Sequence, residues 1–161
     1  MIRKYLFLLA FLCAAVPAGA QRQRLGIFSF WGAFQENERC FAIAEPNQGP
    51  EAQGWRPFAS VGFWPGRGRG PQVHVRLSRD KREGSAILLR IDGRTFQMVG
   101  GGHDAWAPDG RADAAILAAM RTGIEMSVET RSVRGGLVRD HYRLRGAATA
   151  IDAAAIACAR R

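Results

Sequence analysis

Short stretches of this chain alternate between apolar and polar residues with a period of two. Val73, Val75 and Leu77 alternate with His74 and Arg76. Ile124, Met126 and Val128 alternate with Glu125, Ser127 and Glu129. Val138, Asp140, Tyr142 and Leu144 share one face, opposite Arg139, His141, Arg143 and Arg145. Successive side chains of a strand point to opposite sides, so each stretch predicts a strand with one wet face. Leu25 to Phe34, Arg39 to Glu45, Trp55 to Trp64 and Ala86 to Ile91 are denser in apolar and aromatic residues and read as further strands. Asp92-Gly93 is a hairpin dipeptide that returns the chain as Thr95 to Val99. Gly100-Gly101-Gly102 is expected to break the chain.

Two segments have helical character. The first lies near 112–121, with Ile116, Leu117 and Met120 on one side and Gly123 as its stop. The second, near 147–159, is built mostly of alanine, the best helix former. Ile151, Ala155 and Cys158 fall on one stripe of it. Gly123, Gly135 and Gly146 stand where elements end and are expected at positive φ. About eight short strands with the helices placed late, not alternating with them, predict a mainly β, antiparallel sheet or sandwich.

The start of the chain carries a different pattern. Arg3 and Lys4 precede an apolar run from Tyr5 to Val16, followed by Pro17-Ala18-Gly19-Ala20. A basic segment, a short apolar segment and a small-residue exit describe a secretory signal peptide cleaved near Ala20. The run is shorter than the about 20 residues of a membrane span. Bulky Phe11-Leu12 before Cys13 disfavour a lipoprotein site. The expected organisation is a leader over 1–20 and one domain over 21–161, since no linker divides the rest. Removing the leader also removes Cys13. Cys40 and Cys158 remain, and in an oxidising compartment they are expected to pair. The protein is therefore expected in the periplasm or secreted.

Composition sharpens this only in part. The chain has 161 residues, 47% of them hydrophobic, and a formal net charge of +9. Arg67, Arg69, Arg76, Arg79, Lys81 and Arg82 form one basic cluster, and Arg131, Arg134, Arg139, Arg143 and Arg145 a second. Either could hold an anionic polymer or lipid headgroup, because arginine grips phosphate and carboxylate bidentately. A solvated basic face accounts for the same residues. Export disfavours nucleic acid and leaves a protein or an anionic envelope component as the expected partner.

Candidate chemistry is sparse. His74, His103 and His141 show no metal-ligand spacing, so no metal or cofactor is expected. No nucleophile elbow occurs. Gly66 to Gly70 lacks the lysine and hydroxyl residue of a phosphate loop. Asp104, Asp109 and Asp113 could assemble a convergent acid site of a hydrolase. Turn formation and helix N-terminal stabilisation fit the same acids. The expectation is a non-enzyme, with that acid site as the alternative.

Several segments together resemble the invasion-associated locus B proteins, exported proteins of alphaproteobacteria. Cys40-Phe41-Ala42-Ile43-Ala44-Glu45-Pro46 is similar to the family's cysteine, aromatic and proline segment. Trp106 stands in a stretch like its tryptophan segment. Ala119-Met120-Arg121-Thr122-Gly123, Ser132-Val133-Arg134-Gly135 and Asp140 to Gly146 resemble three further motifs, and Ala147 to Cys158 its alanine-rich last helix. His141 and Arg143 stand where the family carries small hydroxyl residues. The resemblance implies an immunoglobulin-like β-sandwich and an association with host-cell invasion, with no established active site. Tyr142, on the inward face, is expected to find a partner for its hydroxyl, and Asp140 to be satisfied by Arg121 or a backbone amide.

Overall fold

The computed structural model describes residues 22–48, 54–66, 68 and 70–160. The expected leader, with its cleavage position near Ala20, lies outside the described residues, as do Arg67 and Arg69. Among the described residues ten strands pair antiparallel into one continuous sheet, so the mainly β, antiparallel class is the one observed. The chain runs β1 (Gln23–Phe28), β2 (Trp31–Glu36), β3 (Arg39–Ala44), β4 (Phe58–Phe63), β5 (Gln72–Arg76), β6 (Ile87–Ile91), β7 (Arg94–Gly101), β8 (Asp104–Trp106), α1 (Gly110–Thr122), β9 (Glu125–Arg131), β10 (Leu137–Arg143) and α2 (Ala147–Ala159). In space the order is β1-β2-β3-β4-β5-β8-β7-β6-β9-β10.

The two ends of this sheet meet. The N–H of Asn47, just beyond β3, donates to the His141 carbonyl on β10, and the His141 N–H donates to Gln48. Trp31 Nε1 on β2 donates to the Arg143 carbonyl at 2.9 Å. The doubled sheet encloses one core, with Ala33, Ala42, Val61 and Val75 from one end and Leu89, Met126, Val128 and Tyr142 from the other. Helix α2 packs on β1 to β4, and α1 touches α2, β5 and β7. Cys158 on α2 is disulfide-bonded to Cys40 on β3, across 118 positions. This is the expected pairing of last helix to early strand.

Several boundaries differ from the sequence reading. Leu25 to Phe34 is not one strand. It turns at Ser29, which takes a φ of 56°, and splits into β1 and β2. The glycine run does not break the sheet: Gly100 and Gly101 lie in β7, and the chain returns as β8, a three-residue strand the pattern missed. A Cβ at Gly100 would overlap the Asp104 carbonyl, so close strand approach explains that glycine. Helix α1 begins two residues early because Asp109 caps it, accepting from the Ala112 N–H at 2.8 Å.

Ile124 precedes β9 and is 76% exposed, so it does not continue the buried face of Met126 and Val128. The buried stripe of α2 passes through Ala154 rather than Ala155. Gly135 and Gly146 take the positive φ expected of them, at 86° and 93°. Gly123 does not: its φ is −77°. Its requirement is space, since a Cβ there would lie 2.6 Å from Ile91 Cγ2 and 2.9 Å from Leu144 Cδ1.

Candidate functional site

The three acids of the hydrolase alternative separate into two places. Asp109 and Asp113, at the start of α1, line a cavity of about 480 Å³ with Trp64, Gln72 and Pro108. Asp113 accepts from the Val73 N–H at 2.7 Å. Burial pushes its carboxyl above the ordinary range, and Asp109 nearby adds to the shift against the Val73 bond. Asp104 lies elsewhere, on β8. Its carboxylate takes His74 Nε2 at 2.8 Å and Arg76 Nε at 3.1 Å on one oxygen, with His103 Nε2 3.5 Å from the other. Burial would raise Asp104, but these hydrogen bonds outweigh it and hold the carboxyl below its ordinary value. Burial lowers His74 despite the carboxylate, so a neutral imidazole donates to an ionised Asp104 at pH 7.

This network sits on the outward face of β2 to β8, which is unusually aromatic. Strand alternation sends Ala33, Ala42, Val61 and Val75 inward, and Phe34, Phe41, His74 and Trp106 outward. Phe34 stacks with Phe41 at 5.8 Å, and His74 lies parallel to Trp106 at 5.0 Å. Arginines cover the rings, with Arg39 4.9 Å from the centre of Phe41 and Arg76 5.3 Å from that of Phe58. These cations already have acids: Arg22 and Arg39 pair with Glu36, whose carboxyl the Arg39 hydrogen bond pulls below its usual range. Arg76 pairs with Asp104 in the same way, so each of these three cations has a carboxylate partner, Arg22 and Arg39 sharing one.

The two basic clusters are re-sorted by the fold. Arg139 pairs with Glu129 at 2.9 Å, and Arg143 and Arg145 flank the Phe30 ring at 5.0 and 5.8 Å. Arg76 belongs to Asp104. The remainder, Arg79, Lys81 and Arg82 on the β5–β6 connection, meets Arg131 and Arg134 at the β9–β10 turn. Backbone bonds clamp the two segments together: Arg82 N–H to Arg131 O at 2.7 Å, Val133 N–H to Asp80 O at 3.0 Å, and a bridge between Lys81 and Ser132. Lys81 N–H also donates to Gly102 O at 2.7 Å.

A cleft of about 140 Å³ opens at this corner, lined by Arg79, Asp80, Ser132, Val133, Arg134, Gly136, Leu137 and Val138. Asp80 is its exposed carboxylate, held by His103 Nδ1 at 3.1 Å, and His103 in turn stacks on Trp55. Arg79 donates to the Ser78 carbonyl at 2.9 Å, and its charge is among those that favour the ionised form of the buried Asp140. Among the described residues Lys81, Arg82, Arg131 and Arg134 form no ion pair; Lys81 and Arg131 donate only to the Arg82 and Gly135 carbonyls.

Asp140 anchors the corner. It is fully buried, and it accepts the Ser78 N–H at 2.9 Å and the Ser78 hydroxyl at 2.5 Å. The backbone-amide expectation holds. Arg121 plays no part: it pairs with Asp152 on α2 at 2.6 Å. Burial raises the Asp140 carboxyl against the pull of the two Ser78 bonds. Ser78 is a residue the sequence reading missed; its only signal is a polar side chain one step beyond the alternating run of β5. Tyr142 is buried as expected, but its hydroxyl has no hydrogen-bond partner among the described residues. Burial, with Asp140 adding to it, drives that phenol well above its ordinary value. Trp106 lies on the outward face beside His74.

No protein-family model matches the chain, and neither a curated protein nor a solved structure matches it.

Proposed function

We propose that this chain is an exported, non-enzymatic binding module of the bacterial envelope, similar in role to the invasion-associated locus B proteins that its motifs resemble. Cleaved near Ala20, it would work in the periplasm or outside the cell, engaging an anionic envelope or host component. The Cys40–Cys158 disulfide supports an oxidising compartment. Among the described residues no helix is long and apolar enough to cross a membrane.

One observation carries the binding reading. Two segments about fifty residues apart in sequence are hydrogen-bonded into a corner where Lys81, Arg82, Arg131 and Arg134 stand without carboxylate partners. Gathering like charges disfavours the folded state, and a ligand of opposite sign relieves that repulsion. Inorganic polyphosphate is a suitable probe. Binding is expected at low salt, weakening steeply as ionic strength rises and the Debye length shrinks to about 8 Å. Affinity unchanged between low and high salt would rule the reading out.

The rival reading, an envelope hydrolase, draws on Asp109 and Asp113 at the larger cavity. It has to do without Asp104, which His74 and Arg76 already engage. Hydrolysis abolished by Asp113→Asn in a protein that keeps its fold would favour it.

A further inference from the structure

The charged corner also carries apolar side chains that the core does not use. Val133 is 61% exposed and Leu137 59% exposed, at opposite ends of the same β9–β10 turn. Both line the cleft that Arg79 and Arg134 line. Apolar side chains standing out of a turn, ringed by unpaired cations, do not suit a soluble polyanion, which has nothing apolar to offer them. They suit an interface where phosphate headgroups lie above hydrocarbon.

We infer that the β9–β10 turn docks on the surface of an anionic phospholipid bilayer. The inference rests on the anion-binding reading above and names the anion as a lipid headgroup in a membrane. Val133 and Leu137 enter the headgroup boundary, while Lys81, Arg82, Arg131 and Arg134 hold the phosphates around them. The backbone clamp from Arg82 to Arg131 holds the two cation-bearing segments next to each other. Gly135, at a φ of 86°, lets the turn close tightly so that the two apolar side chains stay together. Charge complementarity chooses the membrane: Lys81, Arg82, Arg131 and Arg134 outnumber the nearby Asp80 and Glu83 and, among the described residues, form no ion pair with them, whereas the cations of the aromatic face are already paired with acids.

The experiment is co-sedimentation of the disulfide-bonded exported protein with vesicles of equal parts phosphatidylcholine and phosphatidylglycerol. Phosphatidylcholine vesicles and soluble polyphosphate are the other arms. Binding is expected to the anionic vesicles and to polyphosphate, and not to phosphatidylcholine alone. Val133→Ser with Leu137→Ser should lower vesicle binding about tenfold and leave polyphosphate binding within about twofold, because only a bilayer receives apolar surface. Arg134→Ser should weaken both, by about fivefold on vesicles. All of these positions are exposed, so loss of binding does not reflect loss of fold. Polyphosphate binding without vesicle binding overturns the membrane inference and leaves the anion reading standing. Vesicle binding indifferent to Val133 and Leu137 also overturns it. Binding to neither anionic partner removes both readings.

Discussion

Removing the Asp140 carboxylate should cost the fold about 3 kcal/mol. Asp140→Ala deletes the acceptor for two donors, the Ser78 N–H at 2.9 Å and the Ser78 hydroxyl at 2.5 Å. Ser78 and Asp140 are both fully buried, so water cannot replace the lost partner. Each buried donor left unsatisfied costs about 1–3 kcal/mol, and two of them together support a figure near about 3 kcal/mol. In a domain of this size that corresponds to a fall in melting temperature of about 10 °C. The cost is also pH-dependent. The Asp140 carboxyl lies above its ordinary value in the fold, so the native state binds its proton more tightly than the unfolded chain does. Its contribution to stability is therefore fully present below the ordinary carboxylate range and declines as pH rises through the raised value. The alanine variant lacks this decline, so the gap between the two proteins should narrow as pH rises. Urea denaturation of the disulfide-bonded protein, repeated across pH, measures both quantities. A difference under about 1 kcal/mol would mean that Ser78 finds other partners and that the buried pair does not anchor the corner. A gap that widens with pH would refute the raised carboxyl.

Two further changes test other parts of the fold. Tyr142→Phe should leave stability unchanged or slightly higher, within about 1 kcal/mol, because the buried hydroxyl has no partner to lose. A loss above about 2 kcal/mol by urea denaturation would show that the hydroxyl is bonded. Replacing Cys40 and Cys158 with serine opens a loop spanning 118 positions, and chain entropy sets the loss at up to about 5 kcal/mol. Free thiols in the denatured, unreduced native protein would contradict the bond itself.

What was legible in the sequence was what local pattern encodes. The period of two from Val138 to Leu144 placed Val138, Asp140, Tyr142 and Leu144 inward, and all four are buried. The alanine run marked α2 at its observed bounds, and Cys40 and Cys158, the two cysteines left outside the expected leader, are the ones that pair. The β1–β2 turn escaped because it uses Ser29 in a left-handed conformation, with none of the usual glycine, proline or asparagine signals. Strand β8 escaped because three residues after a glycine run carry no usable period. The candidate site was half visible. Each basic cluster could be read from charge alone, but their division could not. Arg76 goes to Asp104, Arg139 goes to Glu129, and Arg82 meets Arg131 only because backbone bonds join distant turns. The Ser78–Asp140 pair is tertiary in the same sense, joining residues 62 positions apart.

The most direct test of the basic corner asks whether its two segments act as one site. Arg82→Ser changes the β5–β6 connection and Arg134→Ser the β9–β10 turn, and both side chains are exposed. Polyphosphate affinity, measured by titration at low salt for each variant and for the pair, should fall with either substitution and fall further with both. An affinity that drops with Arg82→Ser yet is untouched by Arg134→Ser would show that the segments do not share a ligand, and the corner would no longer be a site.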